Sequence, residues 1–230
     1  MKLAIVFDLD GTLIDTPRGI VETFTAALTS MGVTPSDPAA IRGTIGLPLE
    51  QAFSTLMRVD RDDDRVSFGV KRYQELFKNI VLPKAKELIF PGVEKGLSNL
   101  RSQGFNLAVA TTKVYKSAEA LLKAAGLWDY FELVVGADHV KQTKPHPEMG
   151  LLVMHKLRVL PELTVMVGDT THDILMAKSA GMHSIAVTYG VHDTEKLQSA
   201  QPSWLVDNFD KVLDCIFSIK ANSIPLNVQS

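Results

Sequence analysis

The 230-residue chain holds one cysteine, Cys215, so no disulfide can close within it, and a reducing compartment is expected. No charge of either sign dominates: 24 Lys+Arg stand against 26 Asp+Glu, a net of −2. That balance offers no electrostatic footprint for nucleic acid or an anionic membrane as the main partner. Long hydrophobic runs are missing too. The longest stretches without Asp, Glu, Lys or Arg, 23–36 and 179–192, are broken by glycine or polar residues. Neither reaches the roughly 18 apolar residues of a membrane helix. The apolar run at Leu3–Phe7 is too short for a signal peptide and meets an acid at once. A soluble, cytoplasmic protein is the expectation. Histidine is absent before His139, and no Cys/His set has zinc spacing.

What is present is ordinary globular material, 46% hydrophobic and 22% charged. Short runs rich in β-branched residues occur at Leu3–Phe7, Leu107–Ala110, Leu133–Val135, Thr164–Val167 and Ser184–Val187. Continuous apolar runs of this length suit strands covered on both faces. Helical patterns lie between the last four: Ser117–Ala125, Pro147–Leu157 and Asp173–Ala180; Val93–Gln103 precedes them. Alternation of this kind predicts a parallel α/β sheet. About 100 residues separate the first two strands, and the pattern there is helical: Ile20–Met31, Pro48–Arg58 and Asp64–Asn79, with turns at Pro35, Pro38 and Pro48. A helical insert after the first strand is therefore expected. The last residues, from Ala221 on, read as a loose tail.

Chemistry collects where three predicted strands end. The first runs into Asp8-Leu9-Asp10-Gly11-Thr12, the second into Thr111-Thr112-Lys113, and the fourth into Gly168-Asp169-Thr170-Thr171-His172-Asp173. In open α/β sheets, ligands bind outside the carboxyl ends of strands. Asp8 and Asp10 share one face of an extended segment, with Leu9 turned into the core. Two adjacent carboxylates call for a cation or a shared proton. Oxygen-only donors describe magnesium rather than zinc. Asp173 serves equally as a helix N-terminal acid, and Thr111 equally as an N-cap. Lys144 sits in the stiff Thr143-Lys144-Pro145-His146-Pro147, where a cis bond at Pro145 is conceivable.

Those words, in that order and spacing, resemble the four motifs of the haloacid dehalogenase-like hydrolases over about residues 1–215. Within that superfamily the chain resembles the phosphoglycolate phosphatase-like branch, through Phe7–Thr16, Phe90-Pro91-Gly92-Val93, Lys144–Glu148 and Val167–Thr170. The resemblance implies an α/β fold with a Rossmann-like three-layer α/β/α core and a parallel sheet, plus an inserted α-helical cap domain. Residues 1–14 and 86–218 would form the core, 15–85 the cap, and 219–230 a C-terminal tail. It further implies a phosphatase acting on a small phosphorylated metabolite, with phosphoglycolate as lead substrate. Asp8 would attack phosphorus and become an aspartyl phosphate; Asp10 would act as acid and then base. Magnesium would be held by Asp8, the main-chain carbonyl of Asp10, and Asp169, with Asp173 behind them. Thr111 and Lys144, with the amides of Leu9, Gly11 and Thr112, would neutralise the phosphoryl oxygens. Thr112 departs from the Asn common at that position, but the main-chain amide survives the change.

In the cap, the loop Arg42–Pro48, including Gly46, resembles one that reaches the active site. Arg18, Arg42, Lys71 and Arg72 are candidates to meet an anionic substrate tail, against the plainer reading of solvated surface. His172 reads as surface or cap-facing, Lys113 as a surface lysine near enough to attract anions, and the eight methionines as core filler. A sugar phosphate mutase of the same fold is disfavoured by a cap without histidine. A carbon–halogen hydrolase or phosphonate hydrolase is disfavoured by Asp10. A silent binding module would be expected to have lost one of Asp8, Asp10, Lys144 or Asp169.

Overall fold

The computed structural model describes residues 2–34 and 37–223, with the side chains of 222 and 223 outside the description. Among these residues, six strands form one parallel sheet in the order β3-β2-β1-β4-β5-β6. They are β1 (Ala4–Phe7), β2 (Asn106–Ala110), β3 (Leu133–Val135), β4 (Thr164–Gly168), β5 (His183–Val187) and β6 (Trp204–Val206). Helices α1 (Pro17–Ser30), α2 (Pro38–Arg42), α3 (Leu49–Met57) and α4 (Asp64–Ile80) lie between β1 and β2. The crossover helices are α5 (Val93–Ser102), α6 (Tyr115–Ala125), α7 (Glu148–Leu157), α8 (Thr171–Ser179), α9 (Thr194–Ser199) and α10 (Phe209–Ser223).

Strand period explains the two faces. Ile5, Phe7, Leu107, Val109, Val165 and Val167 point into one buried cluster. Val6, Ala108, Ala110 and Met166 point into another. The second cluster is filled by Met149, Met154, Met166, Met176 and Met182, so most methionines are core, as expected. Their unbranched, polarizable side chains suit the uneven gap between the sheet and α7 and α8.

Two short elements escape sequence pattern. The edge strand β6 is three residues long and α2 is five, below the length at which a period shows. Other ends move. The helix after β2 begins at Tyr115, with Val114 at its N-cap, so Thr111 does not open it. Pro147 is the N-cap of α7 rather than its first turn. The expected tail from 219 is also revised: α10 continues to Ser223, and Ile219 is buried. The turn at Pro35 and residues 224–230 lie outside the described residues. The Lys144–Pro145 bond is cis.

The chain enters and leaves the helical segment through one seam. Asp15 N–H donates to Leu88 O at 2.7 Å, Phe90 N–H donates to Leu13 O at 3.1 Å, and Ile14 bridges Ile89 antiparallel. Strand order reverses at β1, between β2 and β4. Phe7 is in register with both Val109 and Val167, so the residues that follow β1 and β4 emerge at one level.

Candidate active site

That register brings four distant residues together. Asp8 follows β1, Asp169 follows β4, Asp173 is the third residue of α8, and Lys144 comes from the loop before α7. All four are buried. Lys144 Nζ lies 2.6 Å from Asp8 Oδ1 and 2.5 Å from Asp173 Oδ1, and donates to Ala110 O at 3.0 Å. Asp173 also caps α8: its Oδ2 accepts from Thr170 N–H at 3.0 Å and from the Thr170 hydroxyl at 2.6 Å. Its two readings, cap and site residue, are thus both met by one carboxylate.

Asp169 is held by Thr12, whose hydroxyl donates to Oδ1 at 2.8 Å, and by Val191 N–H, which donates to Oδ2 at 2.7 Å. Backbone packs close around it. Gly11 has φ +90° and a Cβ there would collide with the Asp169 carboxylate, so the turn tolerates only glycine. Gly190 stands against the same carboxylate from the far side.

Carboxylate oxygens of Asp8, Asp169 and Asp173 lie within 4.8 Å of one another. Burial pushes the Asp8 carboxyl up to about 7 despite Lys144, and Asp173 and Asp10 add to the rise. Burial, with the charges of Asp8 and Asp173, holds Asp169 well above the usual range. Burial pulls the Lys144 ammonium down, but Asp173 and Asp8 outweigh it and the net shift is upward. One ammonium among three buried carboxylates leaves excess negative charge in a dry place. A hard divalent cation with oxygen preference fits that donor set.

Asp10 faces elsewhere. Its carboxylate accepts from the Thr16 hydroxyl at 2.6 Å and pairs with Lys113 Nζ at 3.1 Å. Its side chain is not among the clustered carboxylates, so a metal shared with them would meet Asp10 only through its main-chain carbonyl, as expected of it. Gly11 departs from expectation: its N–H donates to Ile14 O at 2.9 Å and is not free for a ligand. Among the described residues, no hydrogen bond takes up the amides of Leu9, Asp10 or Thr112. Thr111 is buried beside them, its hydroxyl accepting from Lys113 N–H at 3.2 Å.

A cavity of about 50 Å³ sits over Asp8 and Asp10, walled by Thr111, Thr112 and Lys113 and roofed by Thr44, Ile45, Gly46 and Leu47. Gly46 is therefore at the site. Arg42 is exposed and donates to Gly190 O at 3.0 Å, tying the helical segment to the sheet side. Arg18 and Lys71 are exposed, and Arg72 bonds Ser30 and Glu75. None of these four lines the cavity.

Two groups, Lys113 and His192, have partners that no sequence pattern reveals. Lys113 is not surface: it bridges Asp10 and the Phe77 ring, 4.5 Å from the centroid. His192 is buried and accepts from Thr171 N–H at 3.0 Å; burial, then Lys196, pulls its imidazole down to about 4. It stays neutral and steadies the first turn of α8. His172 faces the helical segment, as expected: a Cβ on Gly46 would stand 3.3 Å from its Nδ1.

The buried carboxylates stand at the strand ends where the order of a parallel α/β sheet reverses, the place where such sheets bind ligands. The family model for haloacid dehalogenase-like hydrolases matches residues 5–187, and the chain belongs to that family. A Dickeya dadantii (strain 3937) protein named "Probable phosphatase IndB" is 53% identical over 228 residues, 99% of each chain. A phosphoglycolate phosphatase of Salmonella typhimurium is 31% identical, over 92% of this chain and 91% of its own. A solved haloacid dehalogenase-like hydrolase from Bacteroides fragilis superposes with a TM-score of 0.83 at 28% identity, covering 92% of this chain and 100% of that one. Among the described residues, no helix is long and apolar enough to cross a membrane.

Proposed function

We propose that the protein is a magnesium-dependent phosphatase that hydrolyses a small phosphate monoester through an aspartyl phosphate on Asp8. The observation that carries this reading is the buried set of Asp8, Asp169 and Asp173 around Lys144, beside the unengaged amides of Leu9 and Thr112. Asp8, the Asp10 carbonyl and Asp169 would hold the magnesium ion, whose chemistry is to offset the repulsion between a carboxylate nucleophile and an anionic phosphate.

Asp8 attacks phosphorus in line, and the bond to the leaving oxygen breaks as Asp10 gives that oxygen a proton. Asp10 then takes a proton from water, which attacks the aspartyl phosphate, frees inorganic phosphate and restores the Asp8 carboxylate. Lys144, the Thr111 hydroxyl and the amides of Leu9 and Thr112 hold the phosphoryl oxygens. Such positioning and charge stabilisation dominate phosphoryl transfer. Asp173 keeps Lys144 in place through its 2.5 Å contact. Residues 15–85 would act as a cap that excludes water, on a core of 1–14 and 86–218.

Phosphoglycolate, the substrate named for a relative, is the first ester to assay. Cys215, a free thiol, supports a cytoplasmic location, and neither nucleic acid nor membrane is needed as partner. The test is phosphate release from para-nitrophenyl phosphate with magnesium and with a chelator. Magnesium-dependent release supports the reading; silence on every ester tried leaves only a binding module.

A further inference from the structure

Arg42 ends α2 and is exposed, yet its guanidinium crosses to the loop after β5 and donates to Gly190 O at 3.0 Å. It does not line the small cavity over Asp8. Nor does it line the larger one, of about 520 Å³, which adjoins the first at Lys113 and is walled by Tyr73 and Phe77. No catalytic step above uses it. Exposed ionic contacts usually contribute little. This one differs in what its acceptor does.

Gly190 C=O and Val191 N–H belong to one peptide unit. Arg42 holds the oxygen of that unit, and its N–H donates to Asp169 Oδ2 at 2.7 Å. A trans peptide is planar, so its oxygen and its hydrogen point opposite ways and move as one rigid piece. A cationic donor on the oxygen also draws electron density from the amide, which makes the N–H a stronger donor.

The rest of the loop grips the same carboxylate. The Thr12 hydroxyl holds Oδ1 at 2.8 Å, and Thr12 O accepts from the Tyr189 hydroxyl at 3.0 Å. His192 N–H donates to Asp169 O at 3.3 Å. A Cβ on Gly190 would collide with the Asp169 side chain, so the close approach of this peptide depends on glycine. Thr12, Tyr189, Val191 and His192 belong to the sheet side of the molecule. Arg42 brings the helical segment into this shell.

We infer that Arg42 is a positioning residue for Asp169: through the Gly190–Val191 peptide it fixes the carboxylate for magnesium, and its loss weakens metal binding. The inference rests on the proposed magnesium site and adds a residue to its support. Charge alone predicts the opposite sign. A guanidinium near the site repels a divalent cation, so removing it would tighten binding.

Isothermal titration of metal-free protein with magnesium chloride, without substrate, separates the two. Arg42→Ala should raise the magnesium Kd about three- to tenfold, less than the roughly 10–100-fold typical of a ligand's direct partner. Arg42→Met, which keeps an apolar stem and loses the donor, should do the same. Arg18→Ala removes another exposed cation of the helical segment and should leave the Kd within about twofold, since salt screens distant charge. In a chelator, Arg42→Ala should melt within about 2 °C of wild type, as an exposed substitution does. A larger fall would make Arg42 a structural residue and overturn the inference. An unchanged or lowered Kd in the Arg42 variants overturns it too, as does an equal rise in Arg18→Ala. A wild type that takes up no magnesium would instead remove the metal site on which the inference stands.

Discussion

The strand-end site and the helical segment above it solve opposite problems. At the strand ends, Asp8, Lys144, Asp169 and Asp173 are charged and buried, each fixed by partners from another part of the chain. In the helical segment, the buried residues are apolar, with Phe24, Phe53, Tyr73 and Phe77 packed ring against ring among aliphatics such as Ile20, Leu28 and Val66, while Arg18 and Lys71 face water. The first arrangement is intolerant because every charge depends on another. The second is adaptable because apolar contacts are non-directional. The charged cluster thus sits where geometry is over-determined, while the helical segment beside it is held by packing that fixes no single direction.

The largest break in this comparison should come from the strand ends. Asp8→Asn should reduce phosphate release below about one percent of wild type, since covalent catalysis cannot proceed through an amide. Residual activity above that, in protein with an unchanged far-ultraviolet spectrum, would remove Asp8 as nucleophile.

Lys144→Met should come next. It strands buried carboxylates without their cation, a change that typically costs about 3–5 kcal/mol. Chemical denaturation in a chelator should show the loss, larger at pH 8 than at pH 5, where the carboxyls take up protons. Magnesium should recover part of it.

A gentler probe is pH alone. The folded Asp8 carboxyl sits at about 7, above its ordinary 3.8, so the metal-free folded state binds this proton more tightly than the unfolded chain does. Its contribution to stability is complete below about pH 4 and is lost as pH rises through 7. In a chelator, the melting temperature of wild type relative to Asp8→Asn should therefore fall across that window. A flat difference would show that burial does not perturb Asp8 as described.

The smallest effects belong to the outer helical faces. Arg18→Ala, Lys71→Ala and Arg72→Ala should each shift stability by no more than about 0.5 kcal/mol, as exposed positions do. They should also leave kcat/KM within about twofold, since none lines either cavity. A tenfold loss of activity in any of them would bring an anionic substrate tail back into play.

Much of the strand-end site is legible in the residues themselves. Carboxylates are rarely left at the ends of apolar strands without a task, so Asp8, Asp10, Asp169 and Asp173 stand out against Leu3–Phe7 and Thr164–Val167. Lys144 stands out because Pro145 and Pro147 follow it and stiffen its loop. Lys113 does not, since a lysine two residues after Thr111 looks like any helix-face charge until Asp10 and Phe77 are seen on either side of it. His192 is equally silent, because its partner, the Thr171 amide, lies 21 residues away. The assignment of Gly11 to a ligand fails for a related reason: a main-chain amide leaves no mark in sequence of which carbonyl will take it.

The sequence by itself determined the alternation of strand and helix, the helical insertion after β1, and the kinds of reactive group available, because hydrophobic period and residue type are local properties. Only the tertiary structure decided that one ammonium would serve two carboxylates, that four candidate cap cations would miss the cavities, and that Tyr73 and Phe77 would wall a space beside Asp10. Those outcomes depend on which side chains reach a common point across tens of residues of chain, 29 for Lys144 and Asp173 and 136 for Lys144 and Asp8, and distance through space is set by packing, not by spacing along the backbone.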